Sequence, residues 1–282
     1  MEKNDIVNMS DVEERIFDAA LRVFDSEGYA GATTCRIAQE ANINETTLLQ
    51  KFQSKENLLK EALSKNKTAF LKYWGEAYQP KGMVSWTEAE TWIEAYQNSP
   101  PWDINHSQSA YQALIDTKEI KPGRVLDIGC GRGENSLMLA MHGYDVTGID
   151  LVEDVISDAK AKAIECHLNL NFVVGNVLEM DRFFIEGEFD IVIDSGLFHV
   201  MTDENKHIFA RQVCRVLKTG GKYFMLGISD KELIEGIPKI SKAEIENTFK
   251  YLFNIIYIND ATFDTRVGPN SLKAYLLSAV KS

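Results

Sequence analysis

The residues of this 282-residue chain best placed to do chemistry are three glycines spaced by one, Gly129, Gly131 and Gly133, and the carboxylates around them. An apolar, β-branched run (Val125, Leu126, Ile128) leads into the glycines, and a Leu-, Met- and Ala-rich stretch follows them. A strand that ends in a tight glycine turn and opens a helix presents backbone N–H groups and a positive dipole end to a nucleotide-like ligand. Glycine suits that turn because positive φ costs it little and a Cβ would block the ligand's approach. Asp127 stands two residues before the first glycine, where a bound cation or a hydrogen-bond donor would meet it. A second expected strand, Asp145 to Asp150, ends in a carboxylate placed to accept both hydroxyls of a ribose.

Further candidates follow later strand ends. Phe172–Gly175 reads as a third strand, followed by Asn176 and Val177. Phe189–Asp194 reads as a fourth, followed by Ser195, Gly196, Leu197, Phe198, His199, Val200 and Met201. His199 has the ordinary pKa suited to proton transfer near neutrality, with a purely structural histidine as the alternative. Asp194 either braces the turn or contributes electrostatically to a nearby cation. Cys130, inside the glycine loop, reads as a small buried residue rather than a nucleophile. The stiff turn Pro100-Pro101-Trp102-Asp103 either holds an indole over a pocket or buries it beneath the sheet.

These residues need a scaffold that gathers strand ends. Strands and helices alternate from residue 124 onward: a helix over Leu151–Cys166, another over Asp203–Leu217, a tight turn at Gly220-Gly221 and a fifth strand at Tyr223–Ile228. Ser241-Lys-Ala-Glu244 is a capping box, and the apolar runs Phe253–Ile258 and Ala274–Val280 can complete the sheet. The pattern predicts a doubly wound α/β domain. Ahead of it the chain is helical: an amphipathic helix over 11–28 stopped by Gly28, and a short one over 33–41 capped by Thr33 or Thr34. A turn at 42–44, a helix over 45–51 and a longer helix from Lys55 to about Tyr78 complete a helix-turn-helix unit. Pro80 and Gly82 mark the boundary.

The spacing Asp127-x-Gly-x-Gly-x-Gly133 resembles motif I of the Rossmann-like S-adenosyl-L-methionine (SAM) dependent methyltransferases. In a dinucleotide fingerprint the third glycine falls one position later. Pro101-Trp102-Asp103 is similar to the segment before motif I in thiopurine and thiol methyltransferases, where it covers the cofactor. The resemblance spans residues 84–282, of which 84–120 correspond to a helical lid. It implies SAM as cofactor. Asp127, Gly129 and Gly131, with Cys130 between them, would hold the methionine portion, Asp150 with Leu151 the ribose, and Asn176 with Val177 the adenine. Trp102 would cover the cofactor. Asp194 would stand near the methyl group, and Phe198, His199 and Met201 near the acceptor. The Asp-Pro-Pro-Tyr type of motif used on nucleic-acid bases is missing at 194–199. The acceptor expected is therefore a small soft nucleophile, a thiol first, with arsenic, selenium or halide chemistry as variants.

Ile16, Ala19, Ala20, Phe24, Gly28, Thr33-Thr34, Ile37-Ala38, Ala41, Ile43, Thr47-Leu48, Phe52, Ser54-Lys-Glu56 and Leu58 resemble the N-terminal domain of TetR-type repressors. That likeness implies that the helix at 45–51 enters the major groove, with Thr34, Thr46, Thr47, Lys51 and Lys55 as the DNA-facing residues. The family usually carries Tyr and His where Leu49 and Lys51 stand here, and no TetR ligand-binding domain follows. Either the unit binds DNA as part of a homodimer, or it is a helical bundle serving dimerisation or acting as a lid. The organisation expected is a TetR-like domain at 1–79, a linker at 80–83 and the methyltransferase-like domain at 84–282. Two other readings of the whole are a transcriptional regulator that senses SAM and an inactive scaffold.

Net charge is −12. Residues 1–79 hold 10 Lys/Arg against 13 Asp/Glu, a net of −3, leaving −9 for the rest. Neither part has the positive excess of a protein that grips phosphate backbones strongly. No apolar run approaches a membrane span, and the first residues lack a signal-peptide pattern. The four cysteines are scattered without metal or disulfide spacing. A reduced, cytoplasmic protein without membrane or metal follows as the expectation.

Overall fold

A computed structural model describes residues 9–65, 89–97, 100–234, 237–266 and 271–282. The expected boundary at 80–83 and the end of the helix running towards Tyr78 lie outside the described residues. The N-terminal unit consists of α1 (Met9–Gly31), α2 (Thr34–Glu40), α3 (Glu45–Phe52) and α4 (Lys55–Lys65). The first helix continues past Gly28 to Gly31, since one interior glycine costs only about 1 kcal/mol relative to alanine. Thr33, not Thr34, caps α2, and Asn44 caps α3 through Thr46 N–H. Ile16, Ala19, Ala20 and Val23 of α1 bury against Leu48, Phe52 and Leu58, with the Phe17 and Phe52 rings 5.5 Å apart.

After α5 (Ala89–Gln97) and α6 (Ser109–Asp116) the chain enters a seven-stranded sheet. Its strands are β1 (Arg124–Ile128), β2 (Asp145–Asp150), β3 (Asn171–Val174), β4 (Phe189–Ser195), β5 (Leu217–Ile228), β6 (Phe253–Asp264) and β7 (Ser271–Lys281). The crossovers are α7 (Glu134–Met141), α8 (Glu153–Glu165), α9 (Asp203–Val216) and α10 (Lys242–Phe249). Strand order is β3-β2-β1-β4-β5-β7-β6. The first five strands run parallel, and β7 lies antiparallel between β5 and β6.

The central strands are buried on both faces, so their sequences read as continuous apolar runs rather than alternations. In β5, Tyr223 and Met225 enter one core cluster while Phe224, Leu226 and Ile228 enter the other. Each such side chain contributes about 1.5–3 kcal/mol of burial. The expected Gly220-Gly221 turn is taken up within β5. Pairing jumps from Phe189–Leu217 to Ile191–Lys222, so residues 218–221 loop out, with Gly220 at φ +77°. The capping box at Ser241 and Glu244 is complete.

Candidate active site

The strand order reverses direction at β1 and β4: β1 leads outward to β2 and β3, β4 to β5 and beyond. Such a switch point opens a crevice at the carboxyl ends of the strands, the usual ligand site of open α/β sheets. Here the crevice is an open cleft lined from four strand ends. Gly129, Asp150, Gly175 and Ser195 reach it from the ends of β1, β2, β3 and β4. Trp92 and Tyr96 of α5, Trp102 and Phe263 of β6 close it from above. A second, more polar lobe shares Tyr96, Trp102, Gly129, Ser195 and Phe263, and adds Cys130, Gly131, Arg132 and His106.

The glycine turn is built for close approach. Gly129 and Gly131 have φ of +65° and +53°. A Cβ on Gly129 would lie 2.9 Å from Leu197 Cδ2, and one on Gly131 2.8 Å from Tyr96 Oη. Asp150 ties the turn to β2, its Oδ2 accepting Gly131 N–H at 2.9 Å and its Oδ1 accepting Val152 N–H at 3.0 Å. Each oxygen keeps a lone pair for a further donor. Burial pushes the Asp150 carboxyl up, and those N–H groups pull it back. A cradle that a Cβ would fill, beside a buried carboxylate with acceptor capacity left, fits the backbone contacts and ribose of a nucleoside cofactor.

Leu151, Asn176, Val177 and Met201 also line the cleft. Asn176 Oδ1 accepts Leu178 N–H at 2.9 Å, capping the 3₁₀ turn at Val177–Arg182, so its amide NH₂ is the donor that remains available. Trp102 stands at the cleft, not beneath the sheet, with the Trp92 ring edge-on at 5.9 Å.

Four expected site residues lie elsewhere. Asp127 is buried under the glycine turn and accepts the Ser136 hydroxyl at 2.6 Å. Burial lifts it to about 7, the Ser136 hydroxyl opposing. Asp194 is also fully buried and lifted by burial to about 7. Its carboxylate accepts Leu197 N–H at 2.9 Å, Phe198 N–H at 3.1 Å and the Tyr223 hydroxyl at 3.1 Å, so it braces the turn and does not line the cleft. Phe198 points into the core, its ring 4.9 Å from Phe249 and 5.6 Å from Phe209. His199 is 4% exposed, makes no hydrogen bond among the described residues, and is driven down to about 3 by burial. It is therefore neutral, and unsuited as a base in this conformation. Phe198 and His199 share one cause: both lie in the short 3₁₀ turn Phe198–Val200, whose side chains are buried, while Ser195, Gly196, Leu197 and Met201 on either side of it line the cleft. Cys130 is held as a thiol well above its usual range by burial.

The cleft also contains residues that sequence reasoning did not assign to it: Trp92, Tyr96, His106, Arg132 and Phe263. Trp92 and Tyr96 are spaced i, i+4 on one helix, a signal for a shared face. Phe263 arrives from β6, distant in sequence, and carries no local signal. Arg132 pairs with Asp103 at 2.9 Å and with Asp158, and stacks 5.5 Å from the Tyr96 ring.

On the helical unit, Thr46 and Thr47 are exposed on α3, as a groove-facing surface requires. Lys51 is ion-paired to Glu13 of α1 at 2.6 Å, and the Thr34 hydroxyl donates to Glu45 at 2.5 Å. Burial and the neighbouring Arg266 lower the pKa of Lys55. Of the five expected DNA-facing residues, Thr34 and Lys51 are thus engaged within the protein.

The glycine cradle, the acidic tip of β2 and the sheet order define a nucleoside-binding α/β domain carrying a helix-turn-helix unit. Residues 125–221 match the methyltransferase domain family, and residues 16–62 match the bacterial regulatory proteins of the tetR family. The 2-heptyl-1-hydroxyquinolin-4(1H)-one methyltransferase of Mycobacteroides abscessus is 30% identical over 167 residues, 57% of this chain and 72% of that protein. The putative methyltransferase YqeM of Bacillus subtilis is 33% identical over 141 residues, 49% of this chain and 56% of its own length. A structure described under "Conversion of a Disulfide Bond into a Thioacetal Group during Echinomycin Biosynthesis" superposes with a TM-score of 0.64 at 29% identity, covering 69% of this chain and 93% of that one. The chain belongs to the SAM-dependent methyltransferases. Among the described residues, no helix is long and apolar enough to cross a membrane and no group of His, Cys, Asp and Glu is placed to hold a metal.

Proposed function

We propose that this enzyme methylates a small acceptor with an apolar body and a soft nucleophile that ionises unaided near neutrality, a thiol in the first place. The observation that carries this reading is the lining of the larger lobe. Trp92, Trp102, Leu197, Met201 and Phe263 give it an apolar and aromatic wall, against which the acceptor would lie. The titratable side chains of that lobe are Asp150, tied to Gly131 and Val152, and Tyr96, which burial holds well above its usual range. Neither is placed to take a proton from an acceptor, whereas a thiolate brings its charge ready-made. Of the relatives, the one named for a hydroxyquinolone supports a small acceptor with an apolar body, and the one named for chemistry at a disulfide supports sulfur.

When bound, SAM supplies an electrophilic methyl group on a sulfonium; an in-line thiolate would form the new S–C bond as the sulfonium C–S bond breaks and S-adenosylhomocysteine leaves as a neutral thioether. The chain's part is to bind, align and keep water out. Asp150 would accept the ribose hydroxyls with its remaining lone pairs, beside Leu151. Asn176 would offer its amide N–H to the adenine edge, which packs on Val177. Gly129, Cys130 and Gly131 would face the methionine portion, with Asp127 acting from beneath through Ser136. Trp102 and Tyr96 would close over the cofactor. The test is labelled-methyl transfer from SAM to a panel of small thiols and selenols and to 1-hydroxyquinolin-4(1H)-one, with Asp150→Ala as control. Transfer to thiols that the control loses supports the reading. Transfer confined to the hydroxyquinolone, or none despite tight SAM binding, overturns the thiol assignment.

A second reading, that SAM occupancy is sensed through the helical unit, is favoured by one contact. Glu56 of α4 pairs with Arg266 at 3.0 Å, and Arg266 N–H donates to the carbonyl of Pro101, next to Trp102. A sensor must bind DNA unequally with and without SAM. Equal affinity in the two states would remove this reading.

A further inference from the structure

Behind the aromatic wall of the cleft lie two buried polar side chains that the proposed chemistry leaves unused. Both nitrogens of His199 and the hydroxyl of Ser229 are without hydrogen-bond partners among the described residues. Buried polar groups are nearly always satisfied, so orphans such as these in a core ask for a ligand. Ser229 follows β5 and alternates with Gly227 onto one side, and the His199 Cβ lies 3.5 Å from where a Gly227 Cβ would stand.

The separation of His199 from the cleft is thin. Gly196, a cleft residue at φ +83°, has no side chain to fill the space between. A Cβ there would lie 2.9 Å from Phe263 Cζ and 3.5 Å from His199 Cε1. Cε1 is the carbon between the two ring nitrogens, so it is the hydrogen-bonding edge of the imidazole that faces Gly196. The Phe263 ring crosses the same gap, edge-on to His199 at 6.1 Å between centroids, and lines the cleft on its other side.

We propose that Phe263 gates a polar subsite formed by His199 and Ser229, which receives a ring nitrogen, carbonyl or hydroxyl of a heteroaromatic acceptor at a point remote from its nucleophile. The subsite rests on the reading that the acceptor lies at the Leu197, Met201 and Phe263 end of the cleft. Burial keeps His199 neutral, so it enters as one donor and one acceptor and not as a base. Displacing the Phe263 ring opens the Gly196 gap without moving the backbone of β4. An acceptor with a matching polar atom satisfies the orphaned groups, while an all-carbon ring of the same shape leaves them as unpaired as in the free protein and gains nothing from them.

The experiment measures calorimetric binding of quinoline and of naphthalene to the protein saturated with S-adenosylhomocysteine, alongside turnover of quinoline thiols and of naphthalene-2-thiol. Wild type is expected to favour the quinoline ring, and His199→Leu to reduce that preference about tenfold or more in binding and in kcat/KM, through KM. Ser229→Ala is expected to reduce it less. Phe263→Ala, which removes the gate, is expected to strengthen it, and guards against misfolding of the His199 variant. A preference that is absent in wild type, or that His199→Leu and Phe263→Ala leave unchanged, overturns the subsite. Selective quinoline binding without turnover of any thiol would instead count against the thiol assignment and leave the subsite standing.

Discussion

Asp150 accepts the amide hydrogen of Gly131 at 2.9 Å, so the acidic tip of β2 and the glycine turn after β1 are one hydrogen-bonded unit. The carboxylate both shapes the turn and faces the cleft. Its removal should therefore harm binding in two ways, through the lost ligand contact and through a turn left with unpaired amides.

For Asp150→Asn the expected loss of S-adenosylhomocysteine affinity is about 1–3 kcal/mol, roughly fivefold to 150-fold, and more for Asp150→Ala. Titration calorimetry checks it. Unchanged affinity in both variants would remove Asp150 from the ribose site.

Asp194 holds three donors, Leu197 N–H, Phe198 N–H and the Tyr223 hydroxyl, in full burial. Asp194→Ala leaves all three unpaired and should cost about 3 kcal/mol or more of stability, read as a lower midpoint in denaturant. A catalytic role without structural weight predicts the reverse: lost turnover in a protein of unaltered midpoint.

Buried acids and a buried base give the protein opposing pH dependences. Asp127 and Asp194 are lifted by burial to about 7, so the folded state keeps protons that the unfolded chain releases near 3.8. Their contribution to stability is complete below about 4 and is lost as pH rises towards 7. His199 is driven by burial to about 3 from 6.5, so its contribution is present above 6.5 and is lost as pH falls. In thermal scans, Asp127→Asn should gain on wild type between pH 5 and pH 8, and His199→Leu should gain between pH 7.5 and pH 4.5. Parallel curves for either variant would contradict its burial-driven shift.

Glu13 ties up Lys51, the cation at the end of α3. Freed by Glu13→Gln, Lys51 should strengthen binding to duplex DNA and steepen the salt dependence by about one unit of log Kd per log salt. Fluorescence anisotropy at several salt concentrations reads both. No change in affinity or slope would leave α3 without an electrostatic part in DNA binding.

Local patterns carried much of this protein. The strand–glycine–helix sequence around Gly131 uses only neighbouring residues, because positive φ, strand propensity and helix initiation are decided within a few positions. The carboxylate of Asp150 was legible for the same reason, its place being set by the length of one βα unit. The HTH motif could be read from buried positions such as Ile16, Leu48 and Leu58, whose helical spacing reports a shared face.

Direction was harder to read. Phe198, His199 and Met201 stand within four residues, yet only Met201 faces the cleft. A 3₁₀ turn rotates successive side chains by a third of a turn, and which of them meets the cavity depends on where β4 ends relative to β1 and β5. Trp92, Tyr96 and Phe263 likewise reach the site from outside the strand ends that announce it.

The sequence by itself determined the two units, the doubly wound sheet, the glycine cradle and the cofactor it suits, because each is written in residues close together in the chain. Only the tertiary structure decided that Asp194 is a brace, that His199 is sealed behind Phe263, and that Lys51 is held by Glu13. Those outcomes depend on burial and on partners brought together by packing, and side-chain chemistry takes its pKa and its role from that environment rather than from residue type.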